Sequence, residues 1–415
     1  MKIVYYSHYF TPEIGAPSAR IYDFARQWLA MGHAAAVVTC FPNHPAGKLY
    51  PGYRSGLRMT ENLDGIEVHR HWTYITPNKG FVKKTLGHVS YLPSAMLLSN
   101  PRIAAPDVAI GSSPTFFAAM AAANLASRRG IPFVMEVRDL WPAIFVDLGV
   151  VRHRSVIRLL ERWELSLYRK ASKVVTVTDT FRANLIGRGV PAGKVHTIFN
   201  GADTDFWQPS PGGEALRRSL DLAGKWVVLY AGAHGISQAL GKLLDSASML
   251  RDEGDIRFLF VGDGAEKDML TRRAQELRLE NVRFLEPAGK AQMRDYYSLA
   301  DVCLVPLRNI PLFDAFIPSK MFEIMAMGRP IVGALRGEAA EILRRSGGAV
   351  VVEPEDSGAI AGAIRSLARD REKAGAMGRE ARRFVEASHS RRALAAEYAL
   401  VLEDAIARTR RRQNA

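Results

Sequence analysis

Residues Pro318 to Pro330, PSKMFEIMAMGRP, join a proline-initiated helix to one charged residue of each sign and a glycine stop. Lys320 and Glu323 stand one helical turn apart, so an ammonium and a carboxylate share one face. Ser319 and Lys320 open the helix, where free backbone N–H groups and the positive end of the dipole attract phosphate. A nucleotide offers matching partners. The lysine and the N–H groups would hold a diphosphate, and the carboxylate could accept hydrogen bonds from both ribose hydroxyls. An exposed Lys/Glu pair, worth about 0.2–0.5 kcal/mol on an ordinary helix, gives the same pattern, so both readings stand at this point.

The elements that must position this helix are short Val- and Ile-rich runs alternating with helical patterns, the signature of βαβ units and a parallel sheet. In the first half the expected strands are KIVYYSHYF, AAAVVTC, VAIGSS, PFVMEV, KVVTVT and KVHTIF. The pattern pauses over 199–209, FNGADTDFWQP, where Asn-Gly marks a turn. A second series follows: WVVLYAG, IRFLFVGDG, VRFLEP, VCLVPL, PIVGAL and AVVVEP, with helices starting near Gln238, Ala265, Ala291, Pro318 and Glu338. The expectation is an α/β chain of two Rossmann-like doubly wound domains, residues 1–199 and 200–390, facing each other across a cleft. Residues 391–415 would form a helix and basic tail crossing the junction. TFFAAMAAANLA, from Thr115, reads as a buried helix.

Composition narrows the function. Of 415 residues, 48% are apolar and 24% charged, which suits two packed domains and leaves little for disorder. No apolar run reaches the roughly 18 to 20 residues of a membrane span, and MKIVYYSHYF begins as a strand and not as a signal peptide. Only Cys40 and Cys303 are present, both in strand-like runs, so a reducing cytoplasm is expected. A formal charge of +14 favours an anionic partner. Nucleic acid is not expected, since the basic residues are scattered and no zinc-finger or aromatic RNP pattern occurs. The stretch KGFVKKTLGHVSYLPSAMLL from Lys79 sets lysines beside Phe81, Tyr91 and Leu97, which suits shallow contact with an anionic membrane surface or an ordinary solvated helix. The tail ARTRRRQNA is a second basic concentration.

Ligands of doubly wound sheets sit beyond the carboxyl ends of the strands. The loops there are TPEIGAPSAR from Thr11, SSPTFF from Ser112, EVRDLWP from Glu136, YAGAHGISQ from Tyr230, VGDGAEK from Val261 and EPAGK from Glu286. Gly15 and Gly232 would let backbone approach a ligand, though each could equally serve a plain strand-to-helix turn. VGDG lacks G-x-G-x-x-G spacing and is expected only to turn the chain. No metal is expected. Asp203-Thr204-Asp205 imitates a D-x-D site but lies in the junction turn, and no His/Cys cluster has ligand spacing.

Taken together, PEIGAPSAR, NGADTDF, VGDG and FEIMAMGRPIV resemble the retaining glycosyltransferases of family 4, with the GT-B architecture, over essentially the whole chain. EVRDLWP, YAGAHGISQAL and PSKMFEIMAMG look most like bacterial enzymes that add amino-deoxysugars such as N-acetyl-L-fucosamine in O-antigen or capsule synthesis. The resemblance implies an acceptor side in the first domain and a donor side in the second. It makes Glu323 the second glutamate of an E-x7-E motif, on the ribose, and Lys320 the diphosphate ligand. Pro287 and Ala288 would read the base through backbone groups. Gly15, Gly232, His234 and Ser319 would line the donor. The donor would be a UDP-sugar, used as substrate with no cofactor, and the acceptor a polyprenyl-diphosphate-linked saccharide at the inner face of the cytoplasmic membrane.

Three positions depart from the family pattern. Ala315 stands where the first motif glutamate belongs, with Asp314 adjacent; Ala233 and His234 stand where Arg is expected; Arg138 replaces the histidine of V-H-D. Glycosyl transfer leaves negative charge on the departing diphosphate, so nearby cations favour the transition state. Lys320 is the first candidate for that role and Arg138 the second, unless Arg138 pairs with Asp139 or Glu136. Asp139 is a possible auxiliary base or a loop carboxylate. Two other functions fit the same residues: a nucleotide-sugar epimerase on this architecture, or a non-catalytic nucleotide-sugar binder in a polysaccharide assembly complex.

Overall fold

The computed structural model describes residues 1–13, 15–44, 46–76, 81–98, 104–113, 116–140 and 153–414, with residues 81–85 as backbone only. The chain divides into two units, Met1–Phe199 with Arg391–Ala415, and Asn200–Ser390.

The first unit is built on an eight-stranded sheet. Its strands are β1 (Lys2–Tyr6), β2 (Ala34–Cys40), β3 (Arg58–Leu63), β4 (Ile66–His71), β5 (Val108–Ser112), β6 (Phe133–Val137), β7 (Lys173–Thr176) and β8 (Val195–Thr197), in the order β3-β4-β2-β1-β5-β6-β7-β8. All neighbours are parallel except β3 and β4, which pair antiparallel. That hairpin is absent from the strands expected above. β3, RMTENL, alternates exposed and half-buried residues at a sheet edge, so it lacks the continuous apolar run that marks a buried parallel strand.

Strand order reverses between β1 and β5, and helices cover both faces. On one face lies the helix Phe116–Arg129, most of whose alanines are buried as its composition suggests; a Cβ on Gly111 would meet Ala119 Cα at 2.5 Å, so this helix lies directly on β5. The opposite face takes the helix Ala16–Ala30 and the last helix, Arg391–Asn414. Trp28 and Phe24 pack against Tyr398, and Trp28 Nε1 donates to the Ala395 carbonyl at 3.0 Å. Leu394, Tyr398, Val401, Leu402 and Ala405, spaced for one helical face, complete this core.

The second unit holds a six-stranded parallel sheet of β9 (Trp226–Ala231), β10 (Ile256–Val261), β11 (Val282–Leu285), β12 (Val302–Pro306), β13 (Ile331–Ala334) and β14 (Ala349–Val352), ordered β11-β10-β9-β12-β13-β14. All six match the expected runs. β9, β12 and β13 are buried throughout, and a fully buried Val, Leu or Phe contributes about 1.5–3 kcal/mol. Order reverses between β9 and β12, which makes their carboxyl ends the switch point where ligands of such sheets bind.

Candidate functional site

Both β9 and β12 end at glycine- and proline-rich loops, and the helix Lys320–Ala326 lies just beyond them. Met321, Phe322, Ile324, Met325 and Ala326 bury this seven-residue helix, while Ser319, Lys320 and Glu323 remain half-buried along its outer side. Ser319 is the cap but makes no side-chain cap bond; within the first turn the N–H groups of Met321 and Phe322 donate to the carbonyls of Pro318 and Ser319, at 3.0 and 3.2 Å.

Lys320 reaches back across the switch point. Its Nζ donates to the Ala231 carbonyl at 3.1 Å and lies 4.0 Å from the centre of the Tyr230 ring. Burial pushes its ammonium down to about 7, while Cys303 and Glu323 pull it back up. Gly232 makes this possible. Its φ is +138°, and a Cβ there would lie 3.2 Å from Lys320 Nζ. Close approach, not a plain turn, is therefore what residue 232 provides.

VGDG does more than turn the chain, which corrects the expectation. At Gly262, φ +145°, a Cβ would fall 2.0 Å from the Gly232 carbonyl oxygen, and at Gly264 one would fall 2.4 Å from that of His234. The two loops stack backbone on backbone, tied by His234 N–H to the Asp263 carbonyl at 2.8 Å and Glu266 N–H to the His234 carbonyl at 2.9 Å. The signal in sequence was two glycines flanking one residue at a strand end.

His234 itself is fully buried beside Tyr230, Phe260 and Phe284, and both its ring nitrogens lack a hydrogen-bond partner. Burial first, then Lys267, holds its pKa down to about 4. A neutral imidazole can hydrogen-bond a ligand but cannot replace the cationic Arg of the family pattern. Pro287 and Ala288 follow β11 in an open segment, Pro287 exposed and Ala288 half-buried, anchored by Lys267 Nζ to Glu286 at 3.0 Å. Asp314 is exposed beside half-buried Ala315. Asp203 Oδ1 accepts the N–H groups of Asp205 and Phe206, both at 3.2 Å, which is the work of a turn carboxylate. Among the described residues no group of three or more His, Cys, Asp or Glu could hold a metal ion.

The remaining candidates belong to the first unit. Gly15 caps the helix that follows β1 with an extended φ of 164°, and a Cβ there would touch only Pro17 at 3.6 Å, so neither conformation nor space demands glycine. Arg138 and Asp139 follow β6, and their N–H groups both point at Ser113 Oγ, at 2.8 and 3.4 Å. Arg138 Nε lies 4.0 Å from Glu136 Oε1, an ion pair too long for a hydrogen bond. Burial pushes the Asp139 carboxyl up to about 6, against the pull of Arg138. Glu136 was missed as a functional candidate. It sits fully buried and receives Tyr5 and Arg20, and burial alone would raise its carboxyl, but the Arg20 and Arg138 guanidiniums hold it below its ordinary range. In EVRDLWP it was legible only as one more charge beside Arg138.

In the proposed membrane stretch, Tyr91 is fully buried and donates to the Val38 carbonyl at 2.9 Å, so it belongs to the core and not to the surface. Leu86, Val89 and Leu97 are exposed on the same helix, Phe81–Leu98. Lys79 lies outside the described residues.

Comparison with known proteins places both units in recognised families and the fold among solved ones. A glycosyl transferase 4-like domain matches residues 15–201, and a glycosyl transferases group 1 domain matches residues 225–370. A relative named as the colanic acid biosynthesis glycosyl transferase WcaI of Escherichia coli is 28% identical over 375 residues, 88% of this chain and 91% of its own. Another, named as the teichuronic acid biosynthesis glycosyltransferase TuaH of Bacillus subtilis, is 27% identical over 48% of this chain and 49% of its own. Among solved structures, HepE of Anabaena in complex with UDP and glucose superposes with a TM-score of 0.71 at 19% identity, covering 97% of this chain and 99% of that one.

Proposed function

Because the chain belongs to the glycosyltransferases, with two Rossmann-like halves in the GT-B architecture, we propose that it moves an N-acetylated amino-deoxysugar from a UDP-sugar to a polyprenyl-diphosphate-linked saccharide, with retention at the anomeric carbon. The pathway would be bacterial O-antigen, capsule or exopolysaccharide synthesis, in keeping with the names of WcaI and TuaH. One observation carries the donor reading. Lys320 Nζ sits at the β9/β12 switch point, held against the Ala231 carbonyl beside Gly232, whose φ of +138° favours glycine and whose missing Cβ leaves the ammonium room. A diphosphate placed there would exchange a carbonyl for anionic oxygens, and the ammonium would strengthen its hold as charge develops on the leaving group. At about 4 Å and an effective dielectric near 20, one full charge is worth roughly 4 kcal/mol, and a fraction of that gained in the transition state gives tens to hundreds-fold in rate.

In this reading Glu323 takes the ribose hydroxyls, Ser319 offers its N–H group, Gly232 leaves room for the diphosphate, and Pro287 and Ala288 face the base, with the neutral His234 in the donor lining. Gly15 and Asp139 serve from the first unit, Asp139 as auxiliary base. The leaving phosphate oxygen takes the acceptor's proton, and no metal takes part. No helix among the described residues is long and apolar enough to cross a membrane. Exposed Leu86, Val89 and Leu97, with Val156, Leu159 and Trp163 on the basic helix Arg154–Lys170, support peripheral attachment to an anionic inner-membrane surface.

The test is to incubate the protein with a panel of UDP-sugars, with and without a prenyl-diphosphate-linked saccharide, and read products by mass spectrometry and anomeric coupling. Acceptor-dependent product with the donor's anomeric configuration is expected. Donor conversion without acceptor would identify an epimerase, and UDP binding without turnover a binder.

A further inference from the structure

We propose that Arg138, with Arg20 and Glu136, forms a site at the head of the first unit's sheet that receives an oxyanion, phosphate or carboxylate, of a substrate docked on that unit, distinct from the donor's diphosphate. The inference rests on the transferase reading, since it names a chemical class for what that unit binds.

The cluster does not close on itself. Glu136, at the end of β6, is fully buried, and its Oε1 accepts the Tyr5 hydroxyl at 2.7 Å and Arg20 Nε at 3.2 Å. Arg20 spends its other nitrogens on the carbonyls of Phe199, at 2.7 Å, and Ile198, at 2.9 Å. Nothing comparable satisfies Arg138. Its side chain is 7% exposed, its Nε stands 4.0 Å from Glu136 Oε1, and its Nε and Nη1 are buried without a hydrogen-bond partner. Two guanidiniums therefore share one buried carboxylate. Asp139 does not complete the set: no ion pair joins it to Arg138 among the described residues, and its carboxyl is pushed up to about 6, not down as a tight pair with a guanidinium would hold it.

A buried guanidinium with unused N–H groups is an expensive arrangement unless a carboxylate or phosphate completes it, because both match its planar donors. The Ser113 hydroxyl, gripping the N–H groups of Arg138 and Asp139, fixes the backbone that aims it. The small exposed part of the side chain leaves an edge for a ligand to reach. Since Lys320 on the other unit already answers the donor's diphosphate, the oxyanion belongs to another group: the diphosphate of a lipid-linked acceptor or the carboxylate of an acidic sugar.

Calorimetry on the full chain tests this with wild type, Arg138→Gln, Arg138→Lys and Lys320→Ala. The probes are UDP, methyl glucuronide against methyl glucoside, and farnesyl diphosphate against farnesol. Arg138→Gln should leave UDP affinity within about twofold of wild type. It should weaken either farnesyl diphosphate or the preference for methyl glucuronide about tenfold or more, the first assigning a phosphate and the second a carboxylate, with Arg138→Lys recovering part of the loss. If UDP affinity falls in Arg138→Gln as it does in Lys320→Ala, the guanidinium serves the donor and the proposal fails. Wild-type protein that prefers neither farnesyl diphosphate to farnesol nor methyl glucuronide to methyl glucoside overturns it without any variant. Failure of wild type to bind UDP would instead sink the donor reading.

Discussion

Raising the pH from 7 to 8.5 should weaken UDP binding through Lys320 alone. In the ligand-free protein burial pushes its ammonium down to about 7, so the group is half charged at neutrality. A diphosphate beside Nζ favours the charged form and returns its pKa towards the ordinary value of about 10.4. Binding above pH 7 therefore takes up a proton, and affinity falls as pH rises. The charged fraction drops from about one half to about 3% over that interval, which weakens the apparent affinity about 16-fold, or about 1.6 kcal/mol. The phosphates of UDP do not mask the effect, because their last ionisation, near 6, is nearly complete at the start of the range. Titration calorimetry in buffers of different ionisation enthalpy reads both quantities. Uptake approaching one proton at pH 8.5 is expected, and Lys320→Met should bind UDP weakly with no uptake and no slope. Flat wild-type affinity from pH 7 to 8.5, or uptake that persists in Lys320→Met, would refute the reasoning.

Glu323→Ala should weaken UDP by about 1.5–3 kcal/mol, the worth of hydrogen bonds to a charged group, and should bind 2′-deoxy-UDP and UDP equally; undiminished UDP affinity would remove Glu323 from the ribose. In Gly262→Ala the new Cβ falls 2.0 Å from the Gly232 carbonyl, so the stacked loops must part, lowering the melting temperature and abolishing UDP binding together; a stable variant that binds normally would show that the stacking is incidental. Because burial holds the Asp139 carboxyl up to about 6, turnover should fall below that pH as the group protonates. Asp139→Asn should erase that acid limb, and a limb that survives the change belongs to another group. Wild type should sediment with anionic vesicles and far less with neutral ones, and Leu159→Glu with Trp163→Glu should release it; equal sedimentation with both kinds of vesicle argues against docking on an anionic surface.

Much of this was readable because parallel strands buried on both faces announce themselves. WVVLYA, VCLVP and IVGA are continuous apolar runs, and all became central strands. RMTENL did not announce itself, because an edge strand's outer face is polar and its only partner in the sheet, among the described residues, is the next strand of a hairpin. Tyr91 was misplaced because a helix next to lysines reads as surface until its rotation is known, and that rotation is set by packing on β2 through the Val38 carbonyl. At the donor site, helical spacing sufficed to put Lys320 and Glu323 on one side. The glycine pair of VGDG was visible, but not that Gly262 stacks on Gly232, since that contact joins loops thirty residues apart. Glu136 stayed hidden for the same reason: its hydrogen-bond donors Tyr5 and Arg20 come from two other segments, more than a hundred residues away.

A crystal structure of the chain with UDP tests the central claim most directly. The account predicts Lys320 Nζ released from the Ala231 carbonyl onto a phosphate oxygen at about 2.8 Å, with the Glu323 carboxylate on the ribose hydroxyls. UDP bound elsewhere, with Lys320 still on its carbonyl, would contradict it.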